Sequence, residues 1–390
     1  MMASANEHSI PLWRDERFWR VALQVLAIAI VISVISLLTY NVSNNLQRAG
    51  IEFGFEFLDT QASFAIGESI VPYDPARDTY GRVLLAGLVN TLRVIIAGII
   101  LTTVVGITVG IASFSNNWLL RKGSEAYVEL IRNIPLLLQL FFWYRAVFSK
   151  LPRPADRIEV MGFAFLSNRG VFLPWPKLGW PLALWCAVLL GLAIAAVVVW
   201  KIRIKEIVER GNSGQPQLIA LWIMGIAALL IITVAFGWEK PTEIEVGRIT
   251  GGLRLTGEFS ALLTGLVFYT GAFIAEIVRA GIQSVAKGQW EAASALGLSS
   301  GLMMRLVVFP QALRVIIPPL SSQYMNLAKN SSLGAAIAYA EIYNVANTTY
   351  NQSGRPVEVM LIIMATYLLM NLMISLGMNQ INRLVQLQER

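Results

Sequence analysis

The feature that most constrains this chain is a series of apolar runs, each long enough to cross a lipid bilayer, which takes about 20 helical residues. Eight runs qualify, at approximately residues 21–40, 83–114, 126–148, 182–200, 218–238, 259–278, 306–327 and 359–378. In hydrocarbon every backbone N–H and C=O must find a partner inside the protein, so these runs are predicted to be helices. The sequence therefore predicts an all-α integral membrane protein, a polytopic bundle of about eight transmembrane helices.

Composition and charge support a membrane location. Only 14% of the 390 residues are charged, whereas soluble domains carry about 25%. The net charge is +7, but the Lys and Arg residues are spread over short loops, which indicates contact with the membrane surface and no nucleic acid partner. One Cys and one His exclude a disulfide within the chain and argue against a structural Cys/His metal site. No cofactor is predicted.

The distribution of basic loops predicts an orientation. Residues 201–210 are strongly basic and are expected in the cytoplasm. With eight spans, both termini are then cytoplasmic, residues 1–20 form a cytoplasmic tail, 21–40 the first transmembrane helix, and the acidic segment 41–81 lies outside. The loop 150–177 contradicts this pattern, because it would be external and yet holds five Lys or Arg residues. Segments 41–81 and 149–181, rich in aromatics and prolines, are expected to pack as short interfacial helices.

A polar segment between the sixth and seventh spans is the most unusual stretch. Residues 271–319 read GAFIAEIVRAGIQSVAKGQWEAASALGLSSGLMMRLVVFPQALRVIIPP. A short helix is predicted to begin around Gln289 and to stop at Gly297, because Ala and Glu favour helix and Gly suits a C-terminal stop. Two interpretations are open. The helix either binds in a cleft of a partner protein, whose motion it transmits to both adjoining spans, or it is an ordinary amphipathic connector.

Several short motifs resemble one family. Glu291-Ala292-Ala293, then Gly297, then Phe309-Pro310, resembles the EAA loop of binding-protein-dependent ABC permeases, with Phe309 where an aliphatic residue is usual. GLVNTLR at 87–93, RNIPLLLQL at 132–140 and KNSSL at 329–333 resemble the polar amino acid branch, although the last has Asn where that branch has an acid. The resemblance covers spans two and three and everything from about residue 253. The extra spans after the third resemble the longer permeases of broad-specificity L-amino-acid systems.

The resemblance implies a type I ABC importer permease in the bacterial inner membrane. Residues 82–385 would form the permease domain, with an inserted pair of helices at about 150–250 and a cytoplasmic EAA coupling loop at about 281–305. The implied partners are ATP-binding-cassette ATPase subunits, a second permease subunit that is homologous or identical, a periplasmic amino-acid-binding protein and an amino acid substrate. The implied ATPase-coupling residues are Glu291, Ala292, Ala293 and Gly297.

The energy source is expected on another polypeptide. The chain has no G-x-x-x-x-G-K-[ST] phosphate loop, so it cannot bind ATP in the manner of P-loop proteins. No catalytic residue is assigned, and the chain is predicted to be a transport subunit without enzymatic activity. The alternative is an ion-coupled secondary amino acid transporter, which would be expected to show inverted repeats that this sequence lacks.

Polar residues inside the spans are candidates for a substrate pathway, because they are costly in lipid. The candidates are Gln139, Asn326, Lys329, Asn330, Ser331 and Ser332. Lys329 would pair with the carboxylate of an amino acid, and Asn and Ser oxygens would accept from its ammonium group. Two alternatives stay open: Gln139 bonds to a neighbouring helix, and the cluster 326–332 is a solvated external loop. Tyr339, Glu341 and Tyr343 are weaker candidates for an external gate.

Prolines and glycines predict local helix geometry. Pro310, Pro318 and Pro319 are expected to kink or break the seventh span, because each removes a helical hydrogen bond. Gly106 and Gly110 form a G-x-x-x-G pattern in the second span, which indicates close helix packing.

Overall fold

The fold is a bundle of long helices with small sheets at one end. The computed structural model describes residues 16–48, 53–177 and 179–386. Its α-helices are α1 Glu16–Arg48, α2 Tyr80–Ala112, α3 Trp118–Asn133, α4 Leu136–Phe141, α5 Trp180–Arg210, α6 Gln215–Leu230, α7 Gly257–Gln283, α8 Lys287–Ala295, α9 Ser300–Met303, α10 Phe309–Asn330, α11 Ile342–Ser353 and α12 Pro356–Val385. Within these described ranges, seven helical segments are long and apolar enough to cross a membrane. The predicted multi-pass helical fold is confirmed.

The third apolar run is interrupted. The prediction of one helix over 126–148 is wrong: α3 ends at Asn133, Ile134 is extended with φ −103° and ψ 126°, and Pro135 precedes α4. A proline lacks the N–H that a continuing helix needs, and it disfavours helical geometry in the residue before it. A π-helical turn, Phe142–Val147, follows α4.

The interrupted segment still runs along α7. At one end, the Tyr144 hydroxyl donates to Glu258 at 3.0 Å. At the other, the Arg132 guanidinium lies 3.8 Å from Glu276. The two α7 residues are about 27 Å apart at 1.5 Å per residue, so the segment accompanies α7 through most of the thickness of a bilayer.

Tight glycine contacts hold α7 between α2 and α10. A Cβ atom added at Gly106 would lie 2.4 Å from Cγ2 of Ile274, and one at Gly110 would lie 2.7 Å from Cβ of Val278. Gly281 approaches α10 equally closely. The predicted close packing at the G-x-x-x-G pattern is confirmed, and α7 is the central helix of the bundle.

Short strands occupy one end of the bundle, which we call the sheet side; the opposite end is the α8 side. The strands are β1 Ile158–Val160, β2 Ala164–Ser167, β3 Gly170–Leu173, β4 Trp175–Pro176, β5 Trp238–Glu239, β6 Thr242–Glu245, β7 Arg248–Thr250 and β8 Leu253–Leu255. They form an antiparallel sheet in the order β1-β2-β3-β8 and two antiparallel pairs, β4-β5 and β6-β7, of which only β6-β7 is a hairpin. The expectation of interfacial helices over 149–181 is therefore wrong. β8 leads directly into α7, whose first turn is capped by the hydroxyl of Thr256.

The segment 53–79 is fastened to the sheet side by Glu68. Its carboxylate pairs with Arg93 of α2 and accepts a hydrogen bond from the Thr256 hydroxyl at 2.5 Å. The Arg93 guanidinium also lies 3.9 Å from the ring centroid of Phe259. One largely buried carboxylate thus connects this segment to both α2 and α7.

The helices α1, α5 and α6 are peripheral. No residue in the most apolar window of any of the three is buried. α5 and α6 pack against each other and lie within the range, about 150–250, where an inserted helix pair is predicted. Their apolar surfaces are suited to contact with lipid acyl chains.

Candidate translocation site and coupling helix

The seventh span ends at mid-depth in the bundle. After Asn330 the chain enters a 3₁₀ segment, Ser331–Ile337, and α11 begins only at Ile342. Leu327, in the last turn of α10, packs on Gly98 of α2, where an added Cβ would lie 3.2 Å from the Leu327 side chain. Gly98 is about 27 Å from the start of α2, a helix about 50 Å long. Residues 326–330 are therefore the last turns of α10 and not a loop, and 331–332 begin the 3₁₀ segment.

The break is not at the prolines. α10 continues through Pro318 and Pro319, so the prediction that they break the span is wrong. Pro310 lies at the start of α10, but the chain before it is already helical. A π-helical turn, Met304–Val308, precedes it.

The hydroxyls at the break satisfy backbone carbonyls. Ser331 donates to the carbonyl of Ala328 at 2.7 Å, and Ser332 donates to that of Lys329 at 2.8 Å. The last carbonyls of a helix lack intrahelical partners, and in lipid they must be satisfied by the protein. Of the predicted pathway residues, these two serines therefore donate hydrogen bonds to carbonyls at the C-terminal end of α10.

The three residues considered for an external gate have mainly structural contacts. Glu341 is fully buried and caps α11 by accepting from two backbone N–H groups of its first turn, each at 2.7 Å. Tyr339 is 1% exposed, and its hydroxyl donates to the carbonyl of Asn90 at 3.2 Å. Tyr343 is exposed. Two of the three are thus fixed inside the chain's own core.

A cavity of about 300 Å³ lies beside the break, between α7 and α10. It is lined by Tyr269, Thr270, Phe273, Gln323, Asn326, Lys329 and Asn330. Within the described part of the chain, four of these side chains make no hydrogen bond or ion pair to another protein group: Gln323, Asn326, Lys329 and Asn330. An ammonium group without a counterion, next to free amides, can receive a carboxylate while the amide oxygens accept from a ligand N–H.

Gln139 has a different role from the cavity residues. It is 5% exposed, and its amide nitrogen donates to the carbonyls of Ile131 and Ile134, each at 2.9 Å. These carbonyls lie where α3 ends before Pro135. Gln139 therefore stabilises the interruption in the third run and does not line the cavity beside Lys329.

The short helix α8 ends as the sequence predicts. Gly297 has a φ of +70°. Its N–H donates to the carbonyl of Ser294 at 2.9 Å, and the N–H of Leu298 donates to that of Ala293 at 3.2 Å. This is the Schellman arrangement, which needs a left-handed residue after the helix. The predicted stop at Gly297 is confirmed.

α8 has an inner and an outer face. On the inner face, Ala293 is 3% exposed, and Trp290 packs into a cluster that contains Val285 after α7 and Val308 before α10. The other three predicted coupling residues are exposed. α8 is therefore attached to both α7 and α10, and Ala293 contributes to that attachment rather than to the exposed face.

Sequence reasoning missed four of the seven residues that line the cavity. Tyr269, Thr270 and Phe273 come from α7, and Gln323 from α10. A signal was available: Tyr269, Phe273 and Glu276 recur at i, i+4 and i+7, the spacing of one helical face. Polar and aromatic groups on one face of an otherwise apolar span indicate a surface that does not contact lipid.

Known proteins resemble this chain over almost its whole length. Residues 98–386 match the family model described as "Binding-protein-dependent transport system inner membrane component". YhdX of Escherichia coli, named as an amino-acid ABC transporter permease protein, is 42% identical over 371 residues, which cover 94% of each chain. The general L-amino acid transport system permease protein AapQ of Rhizobium johnstonii is 40% identical, over 96% of this chain and 94% of AapQ. The glutamate/glutamine/aspartate/asparagine transport system permease protein BztB of Rhodobacter capsulatus is 38% identical, over 96% of both chains.

The match to the family model, the near full-length relatives and the helical multi-pass fold agree. The chain belongs to the family of binding-protein-dependent transport system inner membrane components.

Proposed function

We propose that the chain is the permease subunit of an ATP-driven ABC importer for amino acids in the bacterial inner membrane, with both termini in the cytoplasm. Family membership supports the importer class, and the printed names of YhdX, AapQ and BztB support amino acids as substrates. The observation that carries the proposal is the cavity at mid-depth, where Lys329 has no counterion among the described residues and lies beside free amides. Substrate sites of transporters commonly lie at this depth, where a membrane helix is discontinuous.

One helix connects the cavity to the coupling element. α10 carries the cavity residues in its last turns, and the π turn before it belongs to the same cluster as Trp290 of α8. A displacement of α8 would therefore reach Lys329 through about 30 Å of continuous helix. In this proposal separate ATPase subunits bind the exposed face of α8, which includes Glu291 and Ala292, and the adjoining Leu296. The Leu296 side chain is 80% exposed. The chain itself catalyses no covalent reaction.

An exposed polar stripe on α10 supports a second permease subunit, identical or homologous. Its polar members lie on one face of the helix, with Pro318 between the first two: Arg314, Ser322, Asn326 and Lys329. Such a stripe would be costly against acyl chains. A second permease covering it would enclose the pathway between the two chains, and a periplasmic binding protein would deliver the amino acid from the sheet side.

Transport by the reconstituted complex tests the substrate site. The complex of this permease, its sister subunit, ATPase and binding protein is placed in proteoliposomes, and ATP-dependent uptake of L-glutamine and L-glutamate is measured. Lys329→Met is expected to reduce uptake of both about tenfold or more, because both present the same α-carboxylate. The control is Lys201→Met on α5, which is far from the cavity and should transport normally. Uptake by Lys329→Met at the wild-type rate and affinity would reject the carboxylate role.

The energy source is tested separately, because a discontinuous span at mid-depth is also found in ion-coupled transporters. Uptake is measured after ATP depletion with the ion gradient intact. The ATP-driven importer requires that uptake stop. Continued uptake would favour the ion-coupled alternative.

A further inference from the structure

A second polar cavity adjoins the first on its α8 side. It has a volume of about 550 Å³ and lies between α2, α3 and α7. Its charged lining residues are Glu125, Glu129, Arg132, Glu276 and Arg279. Phe273 is the only described residue that lines both cavities. Its ring therefore lies between the cavity beside Lys329 and the charged cavity.

Groups from two helices hold the Phe273 ring. The Arg132 guanidinium, on α3, lies 5.1 Å from the ring centroid. The ring of Tyr269, one turn away on α7, is 5.0 Å from it, centroid to centroid. Arg132 also lies 3.8 Å from Glu276, whose other carboxylate oxygen accepts from Arg279 at 2.7 Å. Arg132 thus contacts two side chains of α7: the Phe273 ring and the Glu276 carboxylate, whose charge Arg279 partly neutralises.

We propose that Phe273, held by Arg132, is the inner closure of the translocation pathway, an inference that rests on the proposed function. An amino acid zwitterion beside Lys329 would have to pass an apolar ring, and charged groups are strongly disfavoured in contact with apolar surface alone. The ring therefore blocks the path while it lies between the two cavities.

The attachments of the two helices supply a way to open the closure. α7 continues directly towards α8 through Val285, which belongs to the cluster around Trp290. Arg132 belongs to α3, which is not part of that cluster. Movement of α8 would therefore shift Phe273 and Glu276 relative to Arg132. When the ring moves away, Arg132 is left at the wall of the charged cavity, where it can receive the carboxylate that leaves Lys329.

Passive leak measures this closure directly. Proteoliposomes containing the complete complex are loaded with radiolabelled L-glutamine, and its efflux is followed without ATP or binding protein. Phe273→Ala is expected to raise efflux about tenfold or more above wild type, because the apolar barrier is removed, whereas Phe273→Leu should stay close to wild type. Arg132→Gln should give an intermediate efflux. The matched control is Phe268→Ala, which changes the same residue type on α7 but lines neither cavity.

The possible results have distinct meanings. Leak in Phe273→Ala with a tight Phe268→Ala supports the closure. Equal leak in both variants would show general loosening of the bundle and overturn it, as would a tight Phe273→Ala complex. If the Phe273→Ala complex does not assemble, the Arg132→Gln complex is used instead. Efflux from that complex at the wild-type rate would overturn the proposed closure. Absence of ATP-driven uptake by the wild-type complex would refute the proposed function. The passive efflux from the variants needs no ATP, so it tests the closure separately.

Discussion

Replacing Gly297 tests whether the ordered end of α8 is needed for coupling. This residue has a φ of +70°, and nothing lies within 4 Å of a Cβ atom added there. A substitution would therefore meet no obstacle within the chain. It would act through backbone conformation alone, by disfavouring the Schellman arrangement that ends α8.

The size of the effect follows from that conformation. A residue other than glycine pays about 1–2 kcal/mol in the left-handed region, which corresponds to about a 5- to 30-fold smaller population of the ordered end. Asn tolerates this region better than Ala, and a β-branched residue tolerates it least. Loss of ATPase association is thus expected to increase in the order Gly297→Asn, Gly297→Ala, Gly297→Val.

The assay is co-purification of the ATPase with the permease from membranes, together with ATP-dependent uptake. The order of the variants separates two causes. If the partner's groove were too narrow for a side chain at this position, Ala would be tolerated better than Asn, whereas backbone strain predicts the reverse. Gly191→Ala is the control, because Gly191 is exposed within α5, outside the face of α8 that binds the ATPase, and has no positive φ. It should associate normally.

Normal ATPase association by Gly297→Val would refute the reasoning, provided that the protein is present in the membrane at the wild-type level. A loss that follows side-chain size, with Asn worse than Ala, would move the cause from the α8 backbone to the partner.

Three further predictions concern the bundle and are checked by thermal unfolding of the purified permease in detergent. Gln139→Leu leaves the two carbonyls at the break without their donor and should lower stability by about 1–3 kcal/mol; an unchanged melting temperature would contradict the proposed stabilising role. Gly106→Val should reduce stability by about 1–3 kcal/mol or more through overlap with Ile274, and Ile274→Ala in the same chain should recover part of the loss; absence of recovery would place the overlap elsewhere. Arg93→Met should cost about 1–3 kcal/mol, because the largely buried Glu68 carboxylate keeps only the Thr256 hydroxyl as a side-chain donor. The double variant Arg93→Met/Glu68→Met should be more stable than Arg93→Met, and an equally unstable double variant would argue against the pair.

The long helices and the glycine contacts were predictable because their signals are local. A run of apolar residues, a G-x-x-x-G spacing and a helix stop at Gly297 each depend on residues close in sequence. The proline effects were harder. Pro135 interrupts a helix, whereas Pro318 and Pro319 do not, because the surrounding packing decides whether a helix can accommodate the missing hydrogen bond.

Long-range pairing explains what the sequence could not show. β3 pairs with β8, so that Leu173 is opposite Leu253, and no local pattern indicates a partner so distant in the chain. The candidate site was found in part for the same reason. Asn326, Lys329 and Asn330 lie within two turns of one helix and were recognised together, whereas Tyr269 and Phe273 reach the same cavity only because α7 packs beside α10.

α7 is a single uninterrupted helix that begins at the strand β8 and ends beside α8. In contrast to α10, which ends at mid-depth, it has no internal joint at which a displacement could be absorbed. An uninterrupted helix of this kind couples the two faces of the membrane mechanically, so that a tilt at one end is transmitted to the other. A bend introduced near its middle would be expected to leave both ends correctly folded and yet to uncouple their movements.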